Sequence, residues 1–200
     1  MQQSEAALRE TFIRRLEQLA PVNTLDVVAC SSIPMWKEFY RQGAYFHTPS
    51  MDTPTCRLVL SGFAAHSRVA PGGASHIVSI AMPGPLLNFD AALQEGARNV
   101  AVQAVSEVEV VAMPTPAVAA LIADRPNIAR CLLADMTAEL SILRQNSLLA
   151  TRGDSGSRVA HLLCELEARL RSANLCDGVS FELPLTQAQI SDAVGLTPST

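Results

Sequence analysis

Three groups of side chains in this 200-residue sequence are of a type to do chemistry: four histidines, five cysteines and a polar C-terminal run. His47, His66, His76 and His161 could each offer an axial ligand to a haem iron. They are not spaced as clustered ligands on adjacent strands, so no metal site is predicted. Each reads first as a surface or hydrogen-bonded histidine, with His76, beside a strand, the strongest of the four. The cysteines (30, 56, 131, 164, 176) are odd in number and form no C-x-x-C pair, which argues against a disulfide framework or a zinc site. As redox switches they are weak. Cys131 and Cys164 fall on apolar helical faces and read as buried, inert thiols. Cys176, in a polar loop, is better placed for oxidation, but nothing near it in sequence would lower its pKa. Arg98 could hold an anion or pair with Glu95 or Glu107, and the pair is preferred. Asp90 and Glu95 read as loop acids. No Ser/His/Asp order, glycine-rich phosphate loop or H-E-x-x-H is present, so no catalytic residue and no enzyme is predicted.

The polar run is more specific. Thr186 and Gln189 have the T-x-x-Q spacing of a capping box, and Leu185 and Ile190 flank it as a hydrophobic staple. Ile190, Ala193 and Val194 give an inward helical face, and Gly195 supplies a left-handed stop. Thr197 can cap a second helix with Pro198 at its first position. Helix, glycine turn and capped second helix is the unit that lays its second helix in the DNA major groove. Thr200 falls about one turn into that second helix.

The elements that must position these residues follow from the apolar pattern. Leu8, Phe12, Leu16 and Leu19 predict an amphipathic helix from Ser4, ended by Pro21. From Thr24 to about Met113, short apolar runs alternate with Gly, Pro, Asn and Ser clusters. Strands are predicted over Cys56–Phe63, Ser67–Val69, His76–Met82, Val100–Val105 and Val108–Met113, which indicates a β-sandwich or barrel. Trp36, Phe39, Tyr40, Tyr45 and Phe46 include core residues whose register the pattern does not set. Thr115–Ala123 is a short helix. Pro126 opens a long one to about Ala150, with Ile128, Leu132, Met136, Leu140 and Leu143 as a seam. Leu133, Ile142, Leu148 and Leu149 lie off the seam, so one side can face the β-region and another a second copy. Residues 151–157 hold two glycines and read as a hinge, with Asp154 capping a helix that carries Val159, Leu162, Leu163, Leu166 and Leu170. Asn174 to Gly178 is a loop, and Phe181, Leu183 and Leu185 alternate as a short strand would.

Apolar residues at 48% and charged residues at 17% allow a substantial core. The net charge of −4 gives no general attraction to DNA or an anionic membrane. From Thr151 onward, four arginines face six acids, so this part is not basic either. Arg9, Glu10, Arg14, Arg15 and Glu17 interrupt the first nineteen residues, which therefore do not read as a signal peptide. No run of eighteen apolar residues occurs, so no membrane span is expected, and the expected place is the cytoplasm.

This order of elements resembles the Crp/Fnr family of bacterial transcription regulators. The resemblance is carried by Leu58-Val-Leu-Ser-Gly-Phe63, Val78–Asp90, Asp124-Arg-Pro126, Ser157–Leu166 and Phe181–Gln187, and covers about Cys56 to Thr200. It implies an α+β protein with three parts. These are a β-roll effector-sensing domain over 1–115, a short helix and long dimerisation helix over 116–150, and an incomplete winged helix-turn-helix over 151–200. It also implies a homodimer on promoter DNA under effector control, with RNA polymerase an allowed partner. The alternative is a dimeric ligand- or redox-sensing module that does not bind DNA.

By the resemblance, DNA contacts fall to Thr186, Gln187, Thr197, Ser199 and Thr200. The dimer face falls to Ile128, Leu132, Met136, Leu140 and Leu143, and the effector pocket to Asn88, Phe89, Arg98, Asn99, Leu143 and Arg144. Family members that bind cyclic nucleotides use Gly-Glu and Arg-Ser pairs, where this chain has Asn88-Phe89 and Arg98-Asn99. The polar pair that meets the base corresponds to Leu143-Arg144. Cyclic AMP is therefore not expected. An iron–sulfur cluster is not expected either, with Cys30 alone in the first fifty residues. Haem is left open.

Overall fold

A computed structural model describes residues 5–49, 55–70, 72–93 and 100–196. Helix α1 (Glu5–Leu19) and helix α2 (Thr24–Ser31) precede two short strands, β1 (Trp36–Tyr40) and β2 (Tyr45–His47). Four more strands follow: β3 (Thr55–Ser61), β4 (Ala64–Val69), β5 (Ser75–Ala81) and β6 (Leu86–Leu87). The single turn α3 (Asp90–Leu93) leads to β7 (Ala101–Ala104) and β8 (Val108–Pro114). Four helices complete the described chain: α4 (Thr115–Asp124), α5 (Pro126–Arg152), α6 (Ser155–Ser172) and α7 (Gln187–Ala193). The β-rich stretch, the long helix and the helix after the hinge stand where the apolar pattern puts them.

The strands form two antiparallel sheets, ordered β1-β8-β3-β6 and β2-β7-β4-β5. Along β3 and β8 successive residues point to opposite faces and both faces are buried, so this part of the first sheet is covered on two sides. Val59, Leu87, Val108 and Val110 of the first sheet meet Phe46, Ala64, Val102 and Ala104 of the second inside the sandwich. Cys56, Leu58, Val111 and Met113 point out of the first sheet into a layer of α1, α2, α4 and the start of α5. Phe63, Ala65, Ile80, Met82 and Val105 lie on the outer side of the second sheet, against Leu162, Leu166 and Leu170 of α6. The result is four layers, helix–sheet–sheet–helix, with three apolar seams between them.

Several local expectations need correction. Helix α2 lies before the first predicted strand, in a stretch to which the sequence pattern assigned no element. Asn23 and Asp26 make its capping box, each side chain accepting from the other's backbone N–H. Buried Asp26 also accepts from Asn127 Nδ2 at 2.9 Å, which ties α2 to α5. Of the five aromatics whose register was open, Phe46 is core, whereas Trp36, Phe39 and Tyr45 are exposed. Phe181, Leu183 and Leu185 form no strand; their alternation packs an extended segment onto the α6 seam. Cys164 is exposed on α6, against the expectation of a buried thiol, while Cys30, Cys56 and Cys131 are buried. Burial pushes the Cys30 thiol up to about 12, so it does not form a reactive thiolate. Ser4, the proposed cap of α1, lies outside the described residues.

Gly62 is the glycine on which the crossing from the first sheet to the second depends. It turns β3 into β4 at φ +83°, and an added Cβ would stand 2.0 Å from the carbonyl oxygen of Glu107. Gly62→Ala should cost about 2–3 kcal/mol through left-handed strain and the displaced 105–107 turn. Urea unfolding of the variant beside the parent protein measures this, and an unchanged midpoint would show that the turn gives way freely.

Candidate effector pocket and nucleic-acid interface

Helix α7 is terminated at both ends by the devices its sequence predicts. Gln189 N–H donates to Thr186 Oγ1 at 3.2 Å, and Thr186 N–H donates to Gln189 Oε1 at 2.9 Å. At the far end Gly195 takes φ +68°. Gly195 N–H then donates to Asp192 O, and Leu196 N–H to Ser191 O, which is a Schellman stop. Ile190, Ala193 and Val194 turn inward onto the α6 seam, with the staple residue Leu185 beside them. Thr186 and Gln187 are exposed at the helix entry, as a phosphate contact requires. Thr197, Ser199 and Thr200, the expected base-reading residues, lie outside the described residues, as does the Thr197–Pro198 cap.

The helix-turn-helix is joined to the β-sandwich in three ways. The first is covalent. Gly153 and Asp154 are the two residues between α5 and α6, and Asp154 Oδ1 accepts from Ser157 N–H at 2.8 Å, as the sequence predicts. A Cβ on Gly153 would lie 2.9 Å from Leu149 O, so the chain turns here only with glycine. The second is the α6 seam. Leu166 is wholly buried on the sheet, and three leucines of this kind contribute about 1.5–3 kcal/mol each. The third is polar. Asp192 of α7 accepts from Ile77 N–H at 2.7 Å and lies 2.7 Å from His76 Nδ1. His76 thus has its Nδ1 engaged by a carboxylate.

A cavity of about 170 Å³ opens where the segment 85–90, α5 and α6 meet. Asn88 and Phe89 line it. Leu143 does not; it lines a second, open cavity of about 540 Å³ between β5, α5, α6 and α7. Arg144 lines neither cavity, and Arg98 and Asn99 lie outside the described residues. Among the groups that complete the smaller cavity, Asp135, Glu139 and Arg169 were not singled out in the sequence, while His66 and Met136 were singled out there in other roles.

Arg169 is the link between layers. Its Nη1 donates to Ile80 O of β5 at 3.2 Å and to Glu165 Oε1 at 2.9 Å, and its Nη2 stands 3.9 Å from Glu139 Oε2 of α5. The Arg169–Glu165 pair is visible in sequence as an i, i+4 couple; its reach to β5 and α5 is not. Burial raises the pKa of Glu139, with nearby Glu165 and Asp135 adding to the rise against Arg169. Asp135 is paired with Arg15 of α1 at 2.6 Å. His66 Nδ1 is hydrogen-bonded to Ser79 Oγ at 2.8 Å. Burial first, then the Arg169 charge, pushes its pKa down to about 4.

The α5 seam divides. Ile128 and Leu132 are buried in the chain's own core, so they cannot belong to a dimer face. The physical reason is that the first turns of α5 are needed to cover the β1-β8-β3-β6 sheet. Met136, Leu140 and Leu143 are exposed, as are Leu133 and Leu148.

Two measurements follow. A histidine whose folded pKa lies below its unfolded value of about 6.5 supports the fold above pH 6.5 and loses that support as pH falls toward 4. His66 should therefore cost on the order of 2–3 kcal/mol between pH 7 and pH 4. His66→Gln should lose this part of the pH dependence, read from urea midpoints at both pH values. Asp192→Ala leaves Ile77 N–H without its acceptor and should cost about 1–3 kcal/mol. Hydrogen exchange at the Ile77 amide should accelerate, and unchanged protection there would show that Asp192 does not hold α7 to the sheet.

Residues 157–200 match the Crp-like helix-turn-helix domain family. No curated protein matches the chain by sequence. Among solved structures, FixK2 from Bradyrhizobium japonicum is similar at 22% identity and TM-score 0.71, over 82% of this chain and 79% of that one. A Crp/Fnr-family transcription regulator from Eubacterium rectale is similar at 17% identity and TM-score 0.67, over 88% and 78%. The c-di-GMP-responsive regulator CLP of Xanthomonas campestris is similar at 13% identity and TM-score 0.66, over 94% and 85%. Residues 157–200 thus carry a Crp-like helix-turn-helix domain, and the chain has the fold of these solved regulators.

Proposed function

We propose that this chain is one protomer of an effector-controlled homodimer that reads palindromic promoter DNA in the cytoplasm, with RNA polymerase as its partner at the promoter. The observation that carries the reading is the double docking of the Crp-like domain. Helix α7 is capped at both ends, and its inner face and Asp192 are fixed to the β-sandwich. The working division is a sensor over 1–115, a connecting helical part over 116–150 and a DNA-reading part over 151–200. The second helix of the helix-turn-helix meets base edges through Thr197, Ser199 and Thr200, while Thr186 and Gln187 meet phosphate.

The dimer face is the exposed side of α5, with Met136 and Leu140 at its centre and Leu133 and Leu143 beside them. A leucine-rich helical stripe left in water is costly, and a second copy related by a two-fold axis covers it with the same residues. An effector at the Asn88–Phe89 cavity touches α5 at Met136 and Glu139, so occupancy bears directly on that stripe. It controls DNA binding to the extent that it favours one dimer arrangement over the other.

Selection from random duplexes should return a palindrome, with log K falling linearly as log salt rises. Binding with neither sequence preference nor salt dependence would remove the reading. Leu140→Glu should convert the dimer to monomer in sedimentation while the far-ultraviolet circular dichroism stays unchanged. A variant that stays dimeric would place the interface elsewhere.

A further inference from the structure

The cavity beside Asn88 is lined by both donors and acceptors. Asn88 Nδ2 is buried with no hydrogen-bond partner, and Asn88 itself is held at φ +60°. Arg169 Nη2 stands 3.9 Å from Glu139 Oε2, an ion pair longer than a hydrogen bond, while its Nη1 is satisfied by Glu165 and Ile80 O. Glu139 and Asp90 are the acceptors of the lining. Asp135 also lines the cavity, but it is held by Arg15. His66 adds no positive charge at neutral pH, because its pKa lies near 4. Met136, Leu87 and Phe89 supply the apolar part of the lining.

Size narrows the choice. About 170 Å³ is well under the roughly 300–1,000 Å³ that holds a drug-sized ligand. Charge narrows it further. Among the described lining residues, and with Asp135 paired to Arg15, two carboxylates accompany one guanidinium, so a phosphate diester meets more repulsion than attraction. A bare cation would leave Asn88 Nδ2 without an acceptor, and a bare anion would leave Asp90 and Glu139 without a new donor. A small molecule with a carboxylate at one end and an ammonium at the other matches both sets of groups.

We infer that this cavity binds a small zwitterion of the amino-acid class, its carboxylate on Arg169 and Asn88 and its ammonium on Glu139 and Asp90. The inference rests on the reading of this cavity as the effector site and adds a consequence to it. Arg169 belongs to α6, the first helix of the DNA-reading part, so the ligand carboxylate pulls on that part directly. It does not act only through the long helix α5. Ligand carboxylate on Nη2 and ligand ammonium on Glu139 exchange the long Arg169–Glu139 pair between α6 and α5 for one ligand contact on each helix.

The test uses the full-length protein and the twenty L-amino acids singly, with ethylammonium and propionate as half-ligands and cyclic AMP as the nucleotide. Thermal shift and calorimetric titration are the readouts. At least one small amino acid should raise Tm and bind saturably, with neither half-ligand matching it. Arg169→Lys and Glu139→Gln should each weaken that binding about tenfold or more. Asn88→Gly, which keeps the left-handed backbone and deletes only the amide, should weaken it with the folded state intact. Binding of cyclic AMP in place of amino acids would overturn the inference, as would no response to any amino acid, or a response unaffected by Asn88→Gly and Arg169→Lys. Palindrome binding, measured on the same preparation, separates the two levels. Its retention with no amino-acid response defeats the ligand assignment alone, whereas its absence defeats the regulatory reading.

Discussion

The outer face of the β2-β7-β4-β5 sheet is apolar, and most of the arrangement follows from the need to cover it. Phe63, Ala65, Ile80, Met82 and Val105 would otherwise stand in water. Helix α6 covers them with Leu162, Leu166 and Leu170, one residue per turn on its inner side. That single packing fixes where the helix-turn-helix begins, because α7 and the extended segment before it lie on the same seam. The sensor-like sandwich and the DNA-reading part therefore share a core. Movement of one relative to the other would have to break or slide a dry contact.

Polar groups are placed where this apolar contact would otherwise leave gaps. Arg169 runs along the edge of the α6 seam and satisfies a β5 carbonyl, an α6 carboxylate and, at longer range, an α5 carboxylate. Asp192 does the reverse, giving two acceptor oxygens to β5. Each is a charge on the DNA-reading part turned toward the sandwich. The overall charge of −4 thus says little about DNA affinity, because part of the charge at the C-terminal end is spent inside the molecule.

What the sequence made legible was local. The Thr186–Gln189 box, the Gly195 stop, the Asp154 cap and the long α5 stripe each arise from contacts three or four residues apart, and each is present. The strands with apolar residues on both faces were also legible, since β3 and β8 carry consecutive apolar residues at 58–60 and 110–113. Helix α2 was hidden because its box is Asn23–Asp26 rather than the commoner Ser/Thr–Glu/Gln pair, and because it is only eight residues long. The division of the α5 stripe could not be seen, because Ile128 and Met136 are both apolar and differ only in which layer lies above them. The pocket was half legible. Asn88 and Phe89 sit at a recognisable point in the chain, but Glu139 and Arg169 reach the cavity from helices fifty and eighty residues away. No spacing rule links them.

Strand β5 ends its sheet, and a bare edge strand is an invitation to pair with another molecule. Here the Asp192 carboxylate sits on the Ile77 N–H that would start such a pairing, and α6 lies over the apolar side chains of the same strand. The DNA-reading part thus doubles as a guard on the sheet edge. Swinging it away from the sandwich uncovers both a free amide and an oily surface at once. An undocked protomer is then a sticky one, and the same contacts that aim the helix-turn-helix keep the molecule from aggregating.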